Sequence, residues 1–319
     1  LSGTTKLRGM LEIVSSASEF ETVPIRRHED VLLRRIYDRM PLKLDKIRFE
    51  NPFHKTFVLL QAHFSRLTLP ADLAQDQRDI LNRVLTLLNA CVDVMSSGAM
   101  LNAIVAMEIS HMCVQAVWDR DSPLRQVPHF TAATIQRCQA RGIHDVYALA
   151  DVLPDMSQHE RDELLQLNKR QLADVATLTN EFPYVDIEFD ILDKEKLDSA
   201  STIILQAKLE RDVDEEEEEP SDPTAIAPFY PSPKMTAWWL VIGDPGTNSL
   251  LSIKRVTIAK TLDVRLEFML PAGMHDKLKL YLMCDSYIGA DRELEVPALH
   301  VAQGEEDEEL DDEDNIEMP

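Results

Sequence analysis

The sequence predicts an α+β multidomain chain: a helical bundle, a small helix-hairpin-helix-like unit, then a seven-stranded β-sandwich of immunoglobulin or fibronectin type. Three observations carry that prediction. Apolar residues recur at helical spacing from the start of the chain to about residue 180, and from Tyr184 the period switches to two. The β-like part holds seven apolar-alternating runs, most of them separated by turn residues. Charge changes at the same places. Residues 1–127 carry 16 basic and 15 acidic side chains, 128–180 carry 5 and 7, and 181–319 carry 12 and 34, so the last part supplies nearly all of the net −23.

Taken in order, TTKLRGMLEIVSSASEF spaces Leu7, Met10, Leu11 and Val14 as one helix face. His28 to Met40 follows with Val31, Leu32, Arg35 and Ile36 on adjoining turns, and stops before Pro41. NPFHKTFVLLQAHFSRL sets Phe53, Phe57, Leu60 and Phe64 on one stripe. Ala74 to Met95 has Ile80, Leu81, Val84, Leu88, Cys91 and Met95 on its apolar side, and Ser96-Ser97-Gly98 ends it. Met100 to Trp118 is apolar nearly all round, which predicts the buried helix of a bundle over residues 1–127.

Residues 128–180 read as the second unit. Thr131 caps a helix that Gly142 ends, GIHDVYALADVL stops at Pro154, and Ser157-Gln158-His159-Glu160 is a capping box. Such units meet phosphate backbones through Gly-rich turns, but this turn has one glycine and a negative surround. Residues 181–304 hold the strands: VDIEFDI, STIILQAKL, AWWLVIG, SLLSIKRVTI, LDVRLEFML, KLKLYLMC and RELEVPALHV. GDPGTN reads as the hairpin turn after the Trp strand, since no Lys-Ser/Thr and no helix follow it as a phosphate loop requires. The acidic loop 210–222 and the acidic tail 305–319 are too charged to bury surface and are expected to be disordered.

Other classes are excluded or disfavoured. The longest charge-free stretch, between Asp93 and Glu108, is too short and polar to cross a bilayer, and no signal peptide opens the chain. The four cysteines form no CxxC pair and no Asn-x-Ser/Thr sequon occurs, which points to reduced thiols in the cytosol or nucleus. GxSxG, HExxH, an EF-hand loop, a P-loop and GxGxxG are all missing, so no catalytic residue, cofactor or metal is expected. The acidic balance opposes nucleic-acid binding. The opening LSGTTKLRGM lacks an initiator Met and reads as a piece of a longer protein.

The domain order resembles the Sec-homology unit shared by the translocon J-protein and the large Ski-like RNA helicases. The strings IRRHEDVLLRRIYDRMPLKL, CVDVMSSGAMLNAIVAME and WWLVIGDPGTNSLLSIKRVT look like the unit that closes the C-terminal cassette of the spliceosomal helicases that unwind paired small nuclear RNAs. The resemblance implies a nuclear role in splicing, with partners among the other helicase domains of the parent chain and spliceosomal proteins, weak or no RNA binding, and no membrane. It also implies that a bundle helix lines the RNA channel in active cassettes and offers Arg and Ser to the strand. The matching helix here is Gln77 to Met95, where after Arg83 the successive turns offer Thr86, Asn89 and Asp93 with no further Arg. That departure favours a non-unwinding, regulatory cassette over an RNA-guiding module of an active one. A cytosolic domain of the translocon J-protein is a further alternative.

On the Trp strand, Trp238, Leu240 and Ile242 share one face, while Trp239 and Val241 share the other. Two apolar faces predict cover on both sides. In the family the sandwich packs back on the cassette, so Trp239 and Val241 are the candidate domain-docking residues. Shielding of Trp239 by loops of its own domain is the plainer alternative.

Overall fold

The computed structural model describes residues 1–213 and 224–304. Five helices build the first part: α1 (Leu7–Ser15), α2 (Glu29–Asp38), α3 (Pro52–Phe64), α4 (Ala71–Ser97) and α5 (Ile104–Gln115). Helix α3 starts where Asn51 accepts from the Phe53 and His54 amides and Pro52 takes the first turn. Every residue from Lys55 to Phe64 is buried, so α3 is a central helix and not one with a single apolar stripe. Its buried Gln61 and His63 find partners on other segments. Gln61 accepts from the Leu42 amide at 2.9 Å and donates to the Leu42 carbonyl at 3.1 Å, and His63 meets the Cys113 carbonyl at 2.7 Å.

The helix expected over Met100–Trp118 is shorter. Ala99 takes a left-handed turn at φ 53°, Leu101–Ala103 form a 3₁₀ turn, and Ala116 at φ 51° ends α5 before Val117. The second unit contains α6 (Ala132–Ala140), α7 (Val146–Val152), α8 (Gln158–Leu165) and α9 (Lys169–Glu181). Thr131 caps α6, Gly142 turns left-handed at φ 77°, and the Ser157/Glu160 box opens α8. Helix α9 was not anticipated, although Asn168 and Gln171 form the same reciprocal box at its start.

The strands are β1 (Val185–Ile191), β2 (Ile203–Arg211), β3 (Trp238–Asp244), β4 (Ser249–Val256), β5 (Thr261–Phe268), β6 (Gly273–His275), β7 (Lys279–Cys284), β8 (Arg292–Glu295) and β9 (Leu299–Val301). They form a three-stranded sheet β1-β2-β5, a four-stranded sheet β4-β3-β7-β8 and a ribbon β6-β9, all paired antiparallel. Two details correct the sequence reading. RELEVPALHV is two strands in different sheets: Pro297 lies between them and has no amide to continue a ladder. Glu210 and Arg211, placed in the acidic loop, belong to β2 and pair with Asp186 and Val185. The rest of that run from 214, and the tail 305–319, lie outside the described residues.

Buried apolar residues fall into two cores that do not follow the three expected segments. One joins the second helical unit, through Leu149, Leu164 and Leu178, to the facing sides of both sheets, through Leu205, Trp238, Leu266 and Leu282. The other fills the bundle and also takes in Trp239, Val241, Leu250, Tyr281 and Met283 from the four-stranded sheet.

Candidate docking face and channel helix

Strand alternation builds the joint. Trp238, Leu240 and Ile242 enter the first core, while Trp239 and Val241 turn to the bundle and are 3% and 0% exposed. Their cross-strand partners on β7, Met283 and Tyr281, share that face. At the end of β3 the backbones come closer still. A methyl group on Gly243 would sit 2.6 Å from the Ser249 carbonyl oxygen and 2.7 Å from Leu101 Cδ1. Only glycine admits that approach.

The rim of the joint is polar. GDPGTN is the β3–β4 turn, and its Asn248, left-handed at φ 54°, docks on the bundle. Asn248 Oδ1 accepts from the Asn102 amide at 2.9 Å, its carbonyl accepts from the Leu101 amide at 3.1 Å, and its Nδ2 donates to the Gly3 carbonyl at 3.1 Å. The Leu250 amide returns a bond to the Ala99 carbonyl at 2.9 Å. On the opposite rim, Gln115 of α5 donates to the carbonyls of Ser286 at 2.7 Å and Ile226 at 3.1 Å, and His111 Nδ1 lies 3.2 Å from the Cys284 carbonyl. These side chains satisfy backbone groups that the joint takes away from water.

A third edge holds charge. The Arg255 guanidinium lies over the Trp239 ring, 3.8 Å from its centre, and donates to Asp285 Oδ2 at 2.5 Å. Asp285 is buried, and Lys234 Nζ reaches the same oxygen at 2.6 Å, while Oδ1 accepts from the Ala237 amide at 3.0 Å and from Ser286 Oγ at 2.6 Å. Arg255, Asp285, Asn102, Asn248 and Gln115 were not singled out from the sequence. Only the GDPGTN and SSGAM turns marked their neighbourhood.

Helix α4 presents Arg83, Thr86 and Asn89 on its exposed side. Arg83 Nη1 donates to the Glu19 carbonyl at 2.8 Å. Beyond it, Asn89, Asp93 and Ser96 border a notch of about 320 Å³ whose other wall is Trp239, Ile253 and Arg255. The two candidate sets therefore meet: Asn89 lines the same notch as Trp239, whereas Arg83 and Thr86 do not line it. The segment that leads into β3 crosses α4 nearby, with Tyr230 donating to the Leu81 carbonyl at 3.0 Å and Ser232 to Asn82 at 2.7 Å.

All four cysteines are buried, and burial pushes their thiols above the ordinary range. Burial also raises the carboxyls of Glu108 and Asp291, and His111 partly offsets this. No group of three metal-ligating side chains occurs among the described residues, and no helix there is long and apolar enough to cross a membrane.

Fold and joint together define an α+β body in which a helical bundle and a β-domain share one core across a hydrogen-bonded rim. The Sec63 Brl domain family model matches residues 1–297, and the chain belongs to that family. It is 46% identical over 296 residues to the pre-mRNA-splicing factor brr2 of Schizosaccharomyces pombe, covering 92% of this chain and 13% of that protein. It is 42% identical over 312 residues to the human U5 small nuclear ribonucleoprotein 200 kDa helicase, covering 98% and 14%. It is also 42% identical over 299 residues to the DExH-box ATP-dependent RNA helicase DExH12 of Arabidopsis thaliana, covering 92% and 13%. The chain thus spans about one seventh of the length of these relatives.

Proposed function

We propose that this chain is a non-catalytic protein-interaction and regulatory module of the C-terminal cassette of a spliceosomal RNA helicase, acting in the nucleus during spliceosome activation. The observation that carries the reading is the outer face of α4. Its Arg83 is bonded to a backbone carbonyl, and the turns after it offer Thr86, Asn89 and Asp93, so beyond Arg83 a phosphate chain laid along the helix meets an acid and no further cation. The parent chain is an ATP-dependent RNA helicase on this reading, and the motor chemistry lies in its other domains. Those domains and spliceosomal proteins are the partners.

The finer architecture belongs to the same proposal. Residues 1–127 are a bundle, 128–180 a helix-loop-helix unit, and 181–304 an immunoglobulin-like sandwich whose two larger sheets enclose one core. Trp239 and Val241 serve to dock that sandwich on the bundle. The alternative, an RNA-guiding module, needs cations on the α4 face; Arg255 lies across the notch, but Asp285 holds it. The translocon J-protein alternative has less support than the helicase, given 42–46% identity to splicing proteins.

The test is a titration of labelled single-stranded RNA in about 0.15 M salt, beside a protein partner recovered from nuclear extract. A net charge of −23 repels a polyanion across a Debye length of about 8 Å. RNA binding weaker than about 10⁻⁴ M is expected. Micromolar RNA binding that falls steeply with salt overturns the reading in favour of the RNA-guiding module.

A further inference from the structure

Beside the Gln115 rim of the joint, a groove of about 670 Å³ opens where three elements meet: the turn Val127–Thr131, helix α9 at Asp174 and Thr177, and the segment Ile226–Phe229. Its walls are apolar, with Phe229 left 47% exposed although it is a large aromatic ring. Arg66 lines this groove and a second recess of about 530 Å³, which also shares Phe130.

The Arg66 guanidinium is fixed in place. Nε donates to the Ala116 carbonyl at 2.9 Å, Nη2 donates to the carbonyls of Gln115 at 3.0 Å and Arg125 at 2.8 Å, and the group stacks over Phe229 at 4.0 Å. Nη1 has no partner among the described residues, which leaves its two N–H groups for a ligand. The backbone at Arg66 is left-handed, φ 51°, a conformation that favours glycine at a helix end. Nearby carboxylates are engaged elsewhere: Asp121 accepts from Arg125 at 2.8 Å and Asp174 meets His129 at 2.6 Å. Burial and the Arg125 charge pull Arg66 down to about 10, so it remains a cation at neutral pH with no ion pair among the described residues.

We propose that this groove docks an extended peptide of a partner protein that sets one carboxylate against Arg66 and a neighbouring large apolar side chain between Phe130 and Phe229. The occupant follows from complementarity. A single held guanidinium offering two N–H groups takes one carboxylate, and the aromatic walls beside it take one apolar anchor. A nucleic acid fits poorly, since its phosphates repeat along the strand while the groove offers one cation without an ion pair among the described residues. The proposal rests on the interaction-module reading and names the surface and the chemistry that reading lacks.

The test titrates fluorescein-labelled decapeptides into the full 319-residue chain by fluorescence polarisation. Each carries a central Glu-Leu, Glu-Phe, Gln-Leu or Lys-Leu pair in a Gly/Ser/Ala background. The Glu peptides are expected to bind about tenfold more tightly than the Gln and Lys peptides, the worth of one charge-assisted contact. Arg66 also holds three carbonyls, so the variants are placed elsewhere. Phe229→Ala removes a wall and Thr177→Glu puts a like charge at the exposed α9 position; each should weaken Glu-peptide binding about tenfold with the melting temperature unchanged. Equal affinity for Lys and Glu peptides, no binding up to about 1 mM, or affinity untouched by both variants overturns the proposal. If a partner recovered by the whole chain stays on the double variant, the groove is the wrong surface while the module reading stands. If the whole chain recovers no partner yet the peptides bind as described, the groove stands and the module reading fails.

Discussion

His63 shows how far one buried group can set a property of the whole chain. It lies inside the bundle with Nε2 on the Cys113 carbonyl at 2.7 Å, and burial pulls it down to about 4. The unfolded chain binds a proton there near pH 6.5 while the folded chain does not, so stability falls as pH drops from about 6.5 to about 4. The full loss is about 3 kcal/mol, and none of it is felt above pH 7. Urea midpoints measured from pH 7.5 to 4.5 for the native chain and His63→Gln check this. The variant should lack the part of the slope that His63 supplies, and identical slopes would count against it. Lys55 is a second such residue. It is fully buried and bonds Glu29 at 2.8 Å, Asp76 at 2.7 Å and the Pro24 carbonyl at 2.5 Å, with Arg26 completing the cluster on Asp76. Burial alone would raise the Asp76 carboxyl, but bonds from Arg26 and Lys55 outweigh that and hold it below the usual range. Lys55→Met leaves two buried carboxylates sharing one guanidinium and should cost about 3 kcal/mol in urea unfolding. Neither residue was legible in the sequence. A Lys or His within an apolar run reads the same whether it reaches solvent or a partner brought from 21 to 50 positions away.

At the scale of the element, β3 is where sequence and structure correspond most closely. Alternation alone separates Trp238 from Trp239, because a strand admits only two faces. What alternation could not supply is which body covers the second face, since that depends on where the loop after Gly98 places Leu101. The two tryptophans should therefore fail differently. Trp238→Ala empties the core between the sheets and should cost about 3–5 kcal/mol. Trp239→Ala opens the joint, frees Arg255 from its ring, and should cost less while raising proteolysis between bundle and sheet. Equal melting-temperature losses with unchanged proteolysis would argue against the two-face reading. Gly243→Ala probes the same element from its end. The added carbon meets backbone at 2.6 Å, so a cost of about 1–3 kcal/mol is expected from denaturant curves. Regular elements were read well because each repeats a local rule. Breaks made by Gly142 and the capping boxes are local too, but others are not: Ala99, Ala116 and Arg66 turn left-handed without being glycine, held by tertiary bonds such as Leu250 N–H to the Ala99 carbonyl and Arg66 Nε to the Ala116 carbonyl.

For the whole molecule, the composition shifts at 127 and 180 suggest three separable parts, yet its apolar cores are drawn along other lines. The second helical unit shares its core with the facing sides of the sheets, and the bundle owns the outer face of the four-stranded sheet. No cut at those positions leaves a core intact: separating 1–127 from the rest exposes Trp239, Val241, Tyr281 and Met283 together, a patch that a free domain avoids. The joint is also tied at both rims, by Asn248 on Asn102 and by Gln115 on Ser286. The chain should therefore unfold as one cooperative unit despite its length, which exceeds the usual two-state range. Far-ultraviolet circular dichroism weights the helices, while tryptophan emission reports Trp118 in the bundle core, Trp238 between the sheets and Trp239 at the joint. The two signals should follow one denaturant curve in the native chain. Asn248→Ala removes the Asn102 bonds and part of the turn's hold, so it should lower both signals' midpoints together, by about 1–2 kcal/mol for bonds lost at a partly buried site. Two separated transitions in the native chain, with the bundle surviving the sheets, would mean that the shared core contributes little and that the parts act as beads joined by linkers.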